Sequence, residues 1–139
     1  MDLLDTNVIS ELRKISSGRA APAVTRWNAS VDAADQYLSV ISLYEIEIGM
    51  GLKSRSDPAQ ASFMREWFDK SVVGGYAGRI LNLDARTVAR AAALQANRSI
   101  ATMDAFLAAT AYVHRMRFVT RNVQLFEGTG IEIVNPWNA

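Results

Sequence analysis

Short apolar runs alternating with helical patterns from one end of the chain to the other limit its fold more than any other feature. Met1 to Asp5 has the pattern of a short buried strand, and a helical pattern follows from about Thr6 to Lys14. After the Ser16-Ser17-Gly18 loop, Pro22 opens a short helix to about Ala29. Tyr37 to Ile41 is β-rich, and Ser42 is expected to open a helix to about Lys53. Asp57-Pro58 starts a further helix that ends before Gly74-Gly75. Ile80 to Leu83 forms the next strand, and Asp84 caps an alanine-rich helix that ends near Asn97. Thr102 opens a helix over Met103 to Arg115, and strands follow at Phe118–Thr120 and Ile131–Val134. Strands that alternate with helices predict an α/β fold with a central, mostly parallel sheet flanked by helices. At 139 residues, half of them hydrophobic, the chain has the size and core of one domain, expected to run over residues 1–139.

Composition then narrows the chemistry. The absence of cysteine excludes disulfides, thiolate metal sites and a cysteine nucleophile, and a single histidine, His114, excludes multi-histidine metal sites. No apolar run is long enough for a membrane helix and the start lacks a signal pattern, so a cytoplasmic domain with no membrane partner is expected. The net charge is +1, but twelve of the fifteen cations are arginine. Six of these (Arg86, Arg90, Arg98, Arg115, Arg117 and Arg121) lie in a segment whose one acid is Asp104. Arginine's planar fork suits phosphate, so this stretch fits a polyanionic partner; the solvated faces of two helices would give the same pattern.

In parallel α/β sheets, chemistry collects beyond the carboxyl ends of the strands. Asp5 ends the first predicted strand, Glu45 lies in the turn after the second, and Asp104 lies in the first turn of the Thr102 helix. Thr120, Arg121 and Asn122 end the Phe118 strand. Each acid has an ordinary explanation. Asp5 could cap the first helix, Ser42-Leu43-Tyr44-Glu45 has the capping-box spacing, and Asp104 suits a helix dipole. Their shared placement is the stronger signal. Three carboxylates in one pocket repel unless a cation holds them, and all-oxygen ligands select Mg²⁺ or Mn²⁺. Such an ion activates water and clamps a phosphoryl oxygen, which gives phosphodiester hydrolysis without a nucleophilic side chain. Glu47, Asp2, Asp84 and His114 fit such a site poorly, and Trp27, Trp67 and the Phe residues at helical spacing, such as Phe63, are expected in the core.

Four segments resemble, in order, the motifs of PIN-domain ribonucleases, especially the VapC-type toxins of bacterial toxin–antitoxin pairs. They are Leu3-Leu4-Asp5-Thr6-Asn7-Val8-Ile9-Ser10-Glu11-Leu12, Ser42-Leu43-Tyr44-Glu45-Ile46-Glu47-Ile48-Gly49, Asp104-Ala105-Phe106-Leu107-Ala108-Ala109-Thr110-Ala111, and Val119-Thr120-Arg121-Asn122-Val123 with Phe126. The stretch Gly78 to Asp84 is similar to the subgroup that includes FitB-like proteins. The resemblance implies a PIN fold, a Mg²⁺ or Mn²⁺ site, cleavage of single-stranded RNA by metal-activated water, and inhibition by a small DNA-binding antitoxin. It places Asp5, Glu45 and Asp104 at the metal and catalytic positions, and Asn7 and Thr120 among residues that shape the pocket. Arg121 is assigned to substrate binding. Many relatives carry a fourth acid near the last motif; here Asn122 stands in for it as the fourth catalytic position, which implies weaker metal binding and one ion rather than two.

A homodimer is also implied, and Ala105, Ala108, Ala109 and Ala111 form a small-residue face suited to close packing, between subunits or within one. The missing fourth acid motivates an alternative: a catalytically weak module that uses the same fold to hold an antitoxin or operator-DNA complex. A phosphatase with Asp5 as nucleophile is disfavoured, because Asn7 stands where its second aspartate belongs and Lys14, Lys53 and Lys70 all miss the strand ends.

Overall fold

The computed structural model describes residues 1–139. Its strands are β1 (Asp2–Leu4), β2 (Gln36–Ser39), β3 (Ile80–Leu81), β4 (Arg117–Val119) and β5 (Ile133–Val134). Its helices are α1 (Thr6–Leu12), α2 (Pro22–Ser30), α3 (Val40–Ser56), α4 (Pro58–Trp67), α5 (Ala85–Asn97), α6 (Thr102–Val113) and α7 (Val123–Phe126). A wider π-type turn over Phe68–Val73 prolongs α4. The strands form one sheet in the order β3-β2-β1-β4-β5, with every pairing parallel. The α/β fold with a parallel sheet between helices is therefore as the alternation predicts.

Alternating side chains feed two cores. Leu3 and Phe118, paired across β1 and β4, pack with Ala91, Leu94, Leu107 and Phe126 against α5 and α6. Leu4, Val119 and Leu38 pack on the opposite face with Val8, Trp27, Ile46 and Met50 from α1 to α3. A strand covered on both faces has no polar side to show, which is why β1 and β4 are short apolar runs. Ala105, Ala108, Ala109 and Ala111 are all fully buried, so the small-residue face is spent inside the chain, with α6 packed on α5. Phe63, expected in the core, is 63% exposed, while its partner Trp67 is half-buried and Trp27 is buried.

The most consequential boundary shift concerns β2. The strand ends at Ser39, not Ile41, because the Ser39 hydroxyl accepts the Ile41 amide at 3.0 Å and caps α3 three residues earlier than expected. Ser42 is therefore a fully buried position inside the helix rather than its cap. Smaller shifts shorten the expected strands to Ile80–Leu81 and Ile133–Val134 and end α6 at Val113. Asp57 and Asp84 cap α4 and α5 as expected, accepting the amides of Gln60 and Thr87. No helix is long and apolar enough to cross a membrane.

Candidate active site

The strand order sets where a site can form. From β1 the chain steps outward to β2 and β3, then returns to place β4 on the other side of β1. The gap beyond the carboxyl ends of β1 and β4 is the point where the winding reverses, the place where parallel α/β sheets open a crevice. Asp5 follows β1 and Thr120 follows β4, so both stand at that gap.

Asp5 does cap α1, its Oδ1 accepting the Thr6 amide at 2.7 Å. The ordinary explanation and the functional one thus hold together, because Oδ2 is free for other work. It accepts the Thr120 hydroxyl at 2.7 Å and the Asn7 side-chain amide at 3.1 Å. Asn7 Oδ1 in turn accepts the Arg121 amide at 3.4 Å, and Thr120 Oγ1 accepts the Asn122 amide at 3.0 Å. The ends of β1 and β4 are latched together around one carboxylate. Burial pushes the Asp5 carboxyl up to about 6; the Thr120 and Thr6 hydrogen bonds oppose the rise, and the charges of Asp104 and Glu45 add to it.

Glu45 and Asp104 complete the group. Glu45, in the second turn of α3, accepts the Thr6 hydroxyl at 2.7 Å through Oε1. The same hydroxyl lies 2.9 Å from Ser42 Oγ. Thr6 has one proton and gives it to the carboxylate, so the buried Ser42 hydroxyl serves as donor to Thr6. Glu45 is therefore not half of a capping box; Ser42 stands one turn before it on the same helix face. Asp104 lies in the first turn of α6, half-buried, its carboxyl raised by partial burial and by the charge of Glu45. In sequence, the i, i+3 spacing of Ser42 and Glu45 has the pattern of a capping box, and nothing local marks the Thr6 hydroxyl as the partner of both.

No lysine or arginine neutralises these three acids, whereas Asp2, Glu11, Glu47, Glu66 and Asp69 each have a cationic partner. No three acidic or histidine side chains stand close enough together in this arrangement to hold a metal ion between them. The chemistry of the three acids nevertheless suits a hard divalent cation: mutually repelling oxygen donors, one of them buried, with no protein cation among them. Asn122 meets the group through its backbone amide. Its side chain is exposed and makes no hydrogen bond to the acids, so its link to Asp5 runs through Thr120. Arg121 is exposed, its guanidinium 5.0 Å from the Trp137 ring centroid and near enough to Glu11 to help hold that carboxyl low, after the Ala21 amide and Lys14. Among the excluded residues, Glu47 pairs with Arg65, Asp2 with Arg117, and His114 terminates α6.

A five-stranded parallel sheet with carboxylates at its switch point is the frame of an α/β domain of the open-sheet class, and a model of the PIN domain matches residues 3–130. The chain belongs to the PIN domain family. It is 34% identical over 144 residues to Toxin FitB of Neisseria gonorrhoeae, covering 99% of each chain. It is 33% identical to the VapC ribonuclease Y4jK of Sinorhizobium fredii, covering 99% of this chain and 98% of that one. The crystal structure of FitAcB from Neisseria gonorrhoeae matches over the whole of both chains with a TM-score of 0.89 and 31% identity. A structure of FitAB bound to an IR36 DNA fragment matches 99% of this chain and 96% of that one, with a TM-score of 0.85 and 33% identity.

Proposed function

We propose that residues 1–139 act as one PIN domain, an endoribonuclease toxin that cleaves single-stranded RNA in the cytoplasm with Mg²⁺ or Mn²⁺ held by Asp5, Glu45 and Asp104. The observation that carries this reading is the uncompensated trio of carboxylates at the β1/β4 switch point. The ribonuclease and toxin names of the relatives point the same way. A divalent ion at these oxygens supplies charge neutralisation and a bound water of lowered pKa.

The chain's own residues do the positioning. Thr120 and Asn7 hold Asp5 Oδ2 from two sides, which fixes the carboxylate plane and leaves it little freedom to swing. Thr6 fixes Glu45 in the same way and ties α1 to α3. Asn122 acts in the fourth position by orienting Thr120 through its amide, and Arg121 offers its guanidinium donors to a phosphate at the rim. A cognate DNA-binding antitoxin is the proposed inhibitor, motivated by the FitAcB and DNA-bound FitAB relatives. A homodimer remains part of the proposal, but with the alanine face of α6 buried it must use another surface, and sedimentation measures it.

Mapping new RNA 5′ ends in cells after brief induction tests the activity, with Asp5→Asn as control. Discrete ends found only with the wild type are expected. Identical maps from two soluble proteins would overturn the assignment. One observation favours a second reading, a catalytically weak antitoxin- or operator-binding module: the fourth position carries an amide whose side chain does not reach the acids. Tight Mn²⁺ binding in calorimetry argues against that module.

A further inference from the structure

The six arginines of the second half do not gather around the acids. Arg121 lies at the end of β4, and Arg98 donates to the Glu127 carbonyl at 2.6 Å. The other four meet elsewhere, in a cleft of about 580 Å³ where α6 ends and β4 and β5 begin. Its polar lining is Arg86, Arg90, Arg115, Arg117, Tyr112 and Glu132.

These arginines are not equivalent. Arg117 is bidentate on the buried Asp2, at 2.7 and 3.0 Å, so its charge is already matched. Arg86, Arg90 and Arg115 form no ion pair. Arg90 lies 3.8 Å from the Tyr112 ring centroid and donates to the Thr129 carbonyl at 3.3 Å. Its Nε is buried with no acceptor, so its internal contacts do not satisfy it. Arg115 sits at φ 55°, the one non-glycine residue with positive φ; the other four such positions are Gly18, Gly78, Gly128 and Gly130. The turn around it is a helix terminus, with Met116 donating to the Ala111 carbonyl at 2.9 Å, where glycine is the unstrained choice. A strained arginine, an under-satisfied arginine and an unpaired one converge on one concave surface whose facing acid is Glu132 alone among its lining residues.

We infer that Arg86, Arg90 and Arg115, with Tyr112, form a phosphate-binding cleft that holds the backbone of the RNA strand away from the cleavage site. The identity of the strand rests on the ribonuclease reading; the cleft itself does not. Helix α6 links the two places, with Asp104 in its first turn and Tyr112 in its last, eight residues or about 12 Å along the axis. Because α6 is largely buried, a strand with one phosphodiester at the acids has to pass around the outside of the domain and reaches the cleft with phosphates several nucleotides away. Guanidinium forks suit that task, and backbone contact of this kind holds a strand without reading its sequence.

The test is the binding of a fluorescein-labelled oligouridylate of about 12 nucleotides to the full chain in EDTA, followed by anisotropy across a salt series. Arg115→Gly and Arg86→Gln are compared with the wild type. Each is expected to weaken binding by about three- to tenfold at moderate salt and to lower the salt slope by about 0.7. Arg115→Gly is also expected to raise the melting temperature, because it relieves the backbone strain, so weaker binding is not attributable to a damaged fold. Unchanged affinity and slope in Arg115→Gly would overturn the cleft. An equal loss for duplex DNA of the same length would overturn the RNA assignment. Adding Mn²⁺ afterwards tests cleavage separately: a strand bound through the cleft but left intact counts against the nuclease reading alone.

Discussion

Replacing Asp5 by Asn should abolish cleavage and, in the absence of metal, make the protein more stable. Asp5 is 5% exposed, and its carboxyl is held at about 6 against an ordinary 3.8. Above pH 6 the folded protein carries a buried negative charge that the unfolded chain solvates freely, which costs about 3 kcal/mol. Asparagine removes the charge but matches the pattern at Oδ2 less well, where Thr120 and Asn7 both donate; losing one such bond costs about 1 kcal/mol. The net gain is about 2 kcal/mol, or about 6 °C in Tm for a chain of this size. The sign with pH follows from the raised value. Between 3.8 and 6 the folded wild type binds more protons than the unfolded chain, so its stability falls as pH rises through that window. The advantage of Asp5→Asn should therefore be largest at pH 8 and shrink towards pH 4. Urea unfolding in EDTA at both pH values measures it. Mn²⁺ should then reverse the order, since at a hundredfold excess over its dissociation constant an ion stabilises the wild type by about 2.7 kcal/mol. An Asp5→Asn protein less stable than the wild type at pH 8 in EDTA would refute the argument that this charge is buried without compensation.

Three further substitutions test the frame around the site. Thr6→Val keeps the shape but severs the bond to Glu45 and strands the buried Ser42 hydroxyl; it should lower the cleavage rate and cost about 1–2 kcal/mol, while Thr6→Ser restores both. Arg117→Ala leaves the Asp2 carboxylate, whose side chain is 3% exposed, without its bidentate partner, and should cost about 3 kcal/mol in urea unfolding. Ser39→Ala removes the cap of α3 at a fully buried position and should cost about 1–2 kcal/mol, with a loss of protection at the Ile41 amide in hydrogen exchange.

The sheet was legible because both of its faces are covered. Leu3-Leu4 and Phe118-Val119 have to serve two cores at once, and no amphipathic surface strand has that pattern. Boundaries were legible where a side chain has one available use, as with Asp57 before Pro58 and Asp84 before α5. They were not where two hydroxyls compete. Ser39 and Ser42 can each cap a helix, and Val40-Ile41 favours a strand by local propensity; burial of Ile41 against the α6 side of the sheet decides for the helix. Phe63 shows the same limit from the other side. Its spacing from Trp67 is that of a core pair, but α4 buries Ala61 and leaves Phe63 on its exposed side.

The acids were legible as a set and the residues that aim them were not, and the reason is sequence distance. Asp5, Glu45 and Asp104 could be placed at one edge by counting strands and helices. The bonds that orient them join Thr6 to Glu45 across 39 residues and Thr120 to Asp5 across 115. No local pattern encodes such a pair. What encodes it is the order β2-β1-β4, which puts the end of the fourth strand beside the end of the first. The same order separates two groups of charge that lie close together in sequence. Asp104 and Arg115 belong to one short segment, yet α6 carries the acid to the carboxyl ends of the strands and the arginine to their beginnings. A composition argument sees an arginine-rich stretch with one acid in it. The fold turns that stretch into an acidic cluster that pairs with none of its arginines at one end and a basic cleft at the other, so the charges that composition lumps together act at separate places on the domain.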